Sequence, residues 1–299
     1  MEQGSIETAT LAGGIDLQST VESGQSYLWD REDGQMYEQE SAYGGDAWYW
    51  TTVRNGEDPA VLRVRQRDGR LEWESSIDAD PHLRRLLRLD DDLDAIRNAT
   101  PGHAVIERAS DEYRGMRLVR DPPFEALISF ICSAQMRVGR IHSMQQALRT
   151  TLGQQVRFNG KIYHAYPTPE QLAATSESTL RDLGLGYRAP YVQRTAEMVA
   201  AGTDPAAARD MAYEEAREYL TQFVGVGDKV ADCVLLFSLD FLEAVPLDTW
   251  IQTTIEEYFP SADRGNYADT SRAIRETLGG EYAGYAQTYV FHYLRSGNE

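Results

Sequence analysis

The chain predicts an α+β fold, in which a small antiparallel β domain over residues 1–79 precedes a mostly helical body over residues 80–299. Three observations predict it. Short runs of alternating apolar and polar residues, bounded by turn residues, extend to about Ser76, which is the period-two signature of half-buried strands. Beyond Asp80-Pro81 apolar residues recur instead at helical spacing, almost to the end of the chain. With 42% hydrophobic residues in 299 and no repeat of fixed period, the chain can build one large core or two ordinary ones, which sets overall disorder aside.

The elements follow in order. Between Gln25 and Ser76, Ala47–Val53 and Ala60–Val64 read as strands separated by Asn55-Gly56. His82 to Arg97 carries leucines at helical spacing, and Pro123 to Leu152 has room for two helices. Thr168 is a natural N-cap for a helix opening at Pro169, with Glu170 and Gln171 in its first turn. Later helices are expected over Tyr213–Phe223, Lys229–Leu239, Thr249–Phe259, Thr270–Thr277 and Tyr282–Leu294.

Composition narrows the function. No stretch approaches the ~18 consecutive apolar residues of a membrane span, and the start lacks the basic head and apolar run of a secretory signal, so a cytoplasmic protein is expected. Cys132 and Cys233 lie in apolar helical stretches and read as buried free thiols. Two cysteines exclude a four-cysteine zinc or iron–sulfur site, the five histidines have no ligand spacing, and no metal or cofactor is expected. The formal charge is −18, with 47 acidic and 29 basic residues, and only Lys161 and Lys229 among the basic ones are lysine. Acid excess with scarce lysine suggests a protein adapted to concentrated salt. At ~1 M salt the Debye length is about 3 Å, so a distant acidic surface hardly repels a polyanion while close arginine–phosphate contacts persist.

One segment carries chemistry. Leu220 to Lys229 joins two apolar helical stretches through Gly225-Val226-Gly227. The glycines can take conformations closed to other residues and expose successive backbone N–H groups beside a helix N-terminus, an arrangement that holds a phosphate without cationic side chains. An ordinary helix–helix turn gives the same spacing. Lys229 opens an apolar helix, where burial and the positive end of the helix dipole both favour a neutral, nucleophilic amine; a surface lysine gripping phosphate is the plainer alternative. Asp248 ends the apolar run Ala244 to Leu247 and begins a helix. Held ionised as an N-cap, it could steady a developing cation on a sugar, or it could simply cap.

Together these residues resemble the helix–hairpin–helix DNA glycosylases, and within them the 8-oxoguanine DNA glycosylase/lyase branch, along nearly the whole chain. Gly225 to Cys233 with Val245-Pro246-Leu247-Asp248 is similar to the family's catalytic hairpin and aspartate. Leu183 to Ala189 resembles the loop that wedges a tyrosine, here Tyr187, into the base stack and offers Arg188 to the base left without its partner. Ser23 to Trp29 resembles the segment whose glycine, Gly24, presents a carbonyl to the extra N–H of oxidised guanine. Phe130 to Arg140, with Gln135 and Arg140, resembles the helix that contacts the opposite cytosine. Tyr282 to Phe291 resembles the pocket helix, where Gln287 and Phe291, four residues apart, share a face and could bond and stack on the extruded base. Cys233, four residues past Lys229, is expected beside it.

The resemblance implies a base excision repair enzyme acting as a monomer on double-stranded DNA with a damaged base, using Lys229 as nucleophile and no cofactor, and associated with a prokaryotic nucleoid. Three positions depart from the branch. Gln135 replaces a common asparagine, which leaves the opposite-base preference open, Trp250 replaces a histidine, and Val224 replaces a hairpin proline. The sequence alone leaves three rivals: a monofunctional alkylpurine glycosylase using Asp248 to assist water, a non-catalytic DNA-binding helix–hairpin–helix protein, and an acidic scaffold.

Overall fold

The computed structural model of the chain describes residues 1–38, 46–56 and 58–297. Five strands form one antiparallel sheet: β1 (Glu2–Glu7), β2 (Asp30–Arg31), β3 (Tyr49–Asn55), β4 (Asp58–Arg67) and β5 (Arg70–Ser75), in the order β1-β5-β4-β3-β2. The alternation in β4 fixes its register, because Ala60, Leu62 and Val64 join the core of the sheet domain while Arg63 and Arg65 lie on the other face under the Trp48 ring. α1 (Leu17–Glu22) is wholly buried and is capped by Asp16, whose carboxylate accepts from the Ser19 N–H.

β1 lies outside the sheet expected from the sequence. Only Ile6 of its six residues is buried, so alternation is faint; the strand is set by its pairing with β5, from Glu2 opposite Ser75 to Glu7 opposite Arg70. Gly4 admits Trp73, since a Cβ there would come within 2.5 Å of the indole. A second sheet was also not anticipated. β6 (Gln155–Phe158) and β7 (Lys161–His164) form a hairpin around Asn159-Gly160, both at positive φ (47° and 75°), which is the strongest short hairpin signal a sequence offers. Phe158 and Tyr163 of this hairpin close over Val61 on the outer face of β4.

The body is helical. The single helix expected over His82–Arg97 is two: α2 (Asp80–Leu86) and α3 (Leu93–Ala99). Arg88 turns to φ 47° between them, and Asp92 starts a new helix by accepting from the Ala95 N–H at 2.9 Å. The run Asp90-Asp91-Asp92 is therefore more than a solvated acidic surface, since Asp91 also accepts from the Tyr285 hydroxyl at 2.6 Å. There follow α4 (Ala104–Glu112), α5 (Pro123–Ser133), α6 (Val138–Leu152), α7 (Pro169–Ala173), α8 (Glu177–Leu180), α9 (Ala189–Ala200), α10 (Tyr213–Thr221), α11 (Asp228–Ser238), α12 (Thr249–Tyr258), α13 (Tyr267–Thr277) and α14 (Ala283–Arg295). Thr168 and Gln171 close a capping box on α7, and Asn266 starts α13 three residues earlier than the apolar pattern suggests. Among the described residues no helix is long and apolar enough to cross a membrane.

The sheet domain and the body are clasped at Asp30. Its carboxylate receives His142 at 2.7 Å, and also Gln146 and Arg149, all from one face of α6. Burial alone would raise this carboxyl's pKa; Arg149 and His142 reverse that and hold it below the usual range.

Candidate active site

The turn between α10 and α11 is set by its glycines, though not both in the same way. Gly225 has φ +88° and lies so close to Tyr191 that a Cβ would come within 2.7 Å of the tyrosine's own. Gly227, against the sequence expectation, has an extended backbone (φ −103°) open to any residue, and nothing stands within 4 Å of where its Cβ would be. Its smallness keeps the approach to the α11 N-terminus open. Val226 is buried and its N–H donates to Phe223 O at 3.1 Å, so the array of free N–H groups expected across the turn is interrupted there.

α11 runs from this turn into the core, and Lys229 in its first turn is half-buried. Its ammonium nitrogen donates to Ser133 Oγ at 3.2 Å and lies 5.9 Å from the Phe130 ring centroid. Ser133 passes its own proton to Phe130 O at 2.7 Å, so the last turn of α5 holds the amine in place. One turn on, Cys233 is buried against Lys229. Burial pushes its thiol up to about 11, with Lys229 opposing and Asp248 adding to the rise, so the thiol stays neutral.

Asp248 caps α12 as its sequence implies, accepting from the Ile251 N–H at 2.8 Å. The expectation that capping holds it firmly ionised is overturned in part. Burial pushes its pKa above the usual carboxylate range; the Ile251 N–H and Lys229 offset only some of that rise. Among the described residues no ion pair within 4 Å joins Lys229 and Asp248, which leaves room between them.

Both side chains line one cavity of about 1250 Å³, with Gly24, Cys233, Gln287 and Phe291. Gly24 needs its φ of +93°, and a Cβ there would meet Arg295 Nη1 at 2.7 Å. Gln287 and Phe291 project from the same face of α14; Gln287 is buried and its amide donates to Thr288 Oγ1 at 2.7 Å. Gln135 stands at the mouth, exposed, in the left-handed conformation (φ 56°).

The remaining sequence-selected residues form a rim outside the cavity. Arg140 donates to Gly184 O at 3.3 Å, which ties α6 to the loop before α9. Tyr187 is 52% exposed at the tip of that loop, edge-on to Tyr191, which in turn packs on Gly225. Arg188 differs from its expected place. It is 2% exposed, donates to Ala134 O and lies 4.2 Å over the Tyr187 ring, so in the free chain it braces the tyrosine and would have to turn outward to meet a base. Sequence reasoning missed Ser133 and Tyr191 as participants, because their roles come from contacts across elements 96 and 34 residues away. It also missed Met136, exposed at the mouth beside Gln135.

The arrangement offers a buried slot with an aromatic wall, a nucleophilic amine, a carboxylate and a rim of aromatic and arginine side chains. Comparison with known proteins agrees. The HhH-GPD superfamily base excision DNA repair protein family matches residues 128–279, and the 8-oxoguanine DNA glycosylase N-terminal domain matches residues 9–127. A probable N-glycosylase/DNA lyase of Methanothermobacter thermautotrophicus is 36% identical over 62% of this chain and 65% of that protein, just under two thirds of its length. The N-glycosylase/DNA lyase of Saccharomyces cerevisiae is 28% identical over 92% of this chain and 82% of its own. The 8-oxoguanine glycosylase/lyase of Clostridium acetobutylicum, solved with duplex DNA containing cytosine opposite 8-oxoguanine, superposes with a TM-score of 0.81 at 26% identity, over 95% of this chain and 93% of that one.

Proposed function

This chain belongs to the HhH-GPD superfamily of base excision DNA repair proteins, and from that premise we propose that it is a bifunctional DNA glycosylase and abasic-site lyase that removes oxidised purines, 8-oxoguanine above all. The observation that carries the reading is the placing of Lys229 and Asp248 on one cavity with Phe291, Gln287 and Gly24. A damaged purine, turned out of the duplex, enters the slot and stacks on Phe291 with its edge toward Gln287. Lys229, once its ammonium has given up a proton, attacks the sugar C1′; the C1′–N9 bond breaks and its electron pair leaves with the base, which takes up a proton. The ionised Asp248 steadies the positive charge that develops on the sugar. After loss of the amine proton and ring opening, the adduct is an imine. Removal of a proton from C2′ then expels the 3′ phosphate by β-elimination, nicking the strand.

Ser133 orients Lys229 through the hydrogen bond its hydroxyl accepts, and the neutral Cys233 thiol is a soft, uncharged surface beside the amine. Tyr187 fills the space the base vacates, and Arg140 and Arg188 address the opposite strand. The α11 N-terminus beyond Gly227 receives a backbone phosphate. Every part named here comes from one chain, which supports a monomer acting on double-stranded DNA, and a DNA substrate supports a place in the cytoplasm of a prokaryote.

Sodium borohydride tests the lysine. Incubated with an 8-oxoguanine duplex, the protein should be trapped as a covalent adduct that Lys229→Gln abolishes. An adduct of equal yield in the variant would refute the assignment, and base release without nicking would favour a monofunctional alkylpurine enzyme.

A further inference from the structure

Arg295, the last residue of α14, touches no reacting group in the chemistry above, and there only adds its charge to those that lower the Asp248 pKa; it enters the cavity wall behind Phe291, with its guanidinium carbon 5.5 Å from that ring's centroid. Its Nη2 donates to Glu22 O at 3.1 Å and to His292 Nδ1 at 3.2 Å. The imidazole can accept because burial, and then Arg295 itself, push its pKa down to about 3. Nη1 is different. It is buried and has no hydrogen-bond partner among the described residues, and it presses on Gly24 so closely that any side chain there would collide with it. No described carboxylate lies within 4 Å of this guanidinium, and the nearby Glu22 carboxylate is held by Arg31 at 3.1 Å and the Tyr49 hydroxyl at 2.5 Å.

A buried, charged donor without an acceptor is unfavourable unless a ligand brings one. Resting on the reading of this cavity as a base pocket, we propose that Arg295 determines specificity, donating from Nη1 to a carbonyl oxygen of a neutral oxopurine and excluding cationic alkylated purines. Nη1 lies covered behind Gly24, so a base seated on the Gly24 backbone meets it after a small turn of the guanidinium. An oxopurine offers carbonyl oxygens, and its ring becomes more negative as the bond to the sugar breaks, so the guanidinium favours both binding and departure. A purine alkylated on a ring nitrogen is already positive before departure, and a like charge in a water-poor slot repels it. The phenols of Tyr27, Tyr37 and Tyr113 around the guanidinium supply polarity but no fixed negative charge to cancel this effect, since burial pushes the Tyr27 and Tyr37 hydroxyls well above their usual range.

The test compares wild type, Arg295→Leu and Arg295→Lys on three duplexes carrying 8-oxoguanine, 7-methylguanine or an abasic site, the last read by borohydride trapping. Arg295→Leu should lower single-turnover release of 8-oxoguanine roughly 10- to 100-fold, the loss expected for one charge-assisted hydrogen bond. It should shift the preference toward 7-methylguanine and leave the abasic-site adduct within about threefold of wild type. Arg295→Lys, which keeps the charge without the fork, should still disfavour 7-methylguanine. An unchanged base preference in Arg295→Leu with an intact adduct overturns this inference alone. Loss of the abasic-site adduct in the variant also overturns it, by showing that the arginine holds the fold instead of the base. A wild-type protein that forms no abasic-site adduct would overturn the enzymatic reading, and this inference with it.

Discussion

Removing one hydroxyl, in Tyr267→Phe, should weaken the fold and the setting of the proposed catalytic carboxylate, Asp248, together. Asp232 on α11 is fully buried and receives the hydroxyls of Tyr213 from α10 at 2.6 Å and Tyr267 from α13 at 2.7 Å. The same Tyr267 oxygen accepts the Leu247 N–H at 3.2 Å, one residue before Asp248. The substitution therefore removes a bond to a carboxylate and a bond that fixes the approach to the α12 cap. The first is worth about 1.5–3 kcal/mol when the carboxylate is ionised and the second about 1 kcal/mol, so a loss of roughly 3 kcal/mol is expected. The size should depend on pH. Burial raises the Asp232 pKa to about 7, against the two phenols that lower it, so above pH 7 the tyrosine supports a buried anion and below it a neutral acid. Urea unfolding of wild type and Tyr267→Phe should show a difference that is larger at pH 8.5 than at pH 6. Base release should fall with it, while duplex binding changes less. A difference under ~0.5 kcal/mol at both pH values, or one that grows toward low pH, would refute the reasoning.

Four further outcomes follow from the geometry. Because burial raises the Asp248 pKa and the ionised form is the active one, base release should lose activity on acidification at a pH above the ordinary carboxylate range; single-turnover rates against pH check this, and a limb at or below that range contradicts it. Asp121 is buried with Oδ2 unpartnered, and its pKa is raised from 3.8 to about 7. A raised folded-state pKa favours the fold below 3.8 and loses that contribution as pH climbs to about 7, so Asp121→Asn should flatten the fall in urea stability across that window, and an unchanged slope would exclude Asp121 as its source. Gly225→Ala should cost about 1–2 kcal/mol from the left-handed backbone alone, with the Tyr191 collision added. Gly227→Ala, with free space around it, should unfold within ~0.5 kcal/mol of wild type yet bind duplex more weakly, and equal affinity would remove the phosphate role.

The candidate site was legible because its residues lie in contiguous segments. A lysine after Gly225-Val226-Gly227 and an aspartate at the head of α12 are local patterns, and the α14 spacing of Gln287 and Phe291 puts both on one face whatever surrounds them. Features made by distant partners were not legible. β1 exists through its ladder with β5, and the break between α2 and α3 depends on Arg88, whose guanidinium is drawn to Asp240 some 150 residues away. Arg188 looks like a free cation in the sequence, yet the Ala134 carbonyl and the Tyr187 ring hold it inside. For Asp248 the cap is visible in sequence, whereas the burial that outweighs it is a tertiary fact. Asn159-Gly160 is a local hairpin signal, but the helical period on both sides hides the four-residue strands that it joins.

The charge of −18 is the strongest objection to a DNA enzyme, and the placement of the arginines answers it. Many arginines in the fold are matched by acids, as in Arg63 with Glu32 and Glu74, Arg217 with Glu214, and Arg97 with Asp111, while Arg54, Arg85, Arg108, Arg117, Arg157, Arg194 and Arg264 have no such pair among the described residues. Around the cavity unpaired basic side chains are gathered: among the described residues no carboxylate within 4 Å pairs with Arg137, Arg140, Arg188, Lys229 or Arg295. The exposed large apolar side chains include Met136, Tyr187, Tyr191 and Trp250, of which the first and last line the cavity and the two tyrosines form its outer rim. Net charge acts at distances that salt screens within about 8 Å at physiological ionic strength, whereas a base and its neighbouring phosphate meet the local field of the rim. An acidic protein can therefore engage a polyanion if its uncompensated cations, aromatic surfaces and backbone N–H groups are gathered on one face. The cost falls on long-range attraction, so association should be slower than for a basic enzyme and should vary less with salt than the count of phosphates alone would suggest.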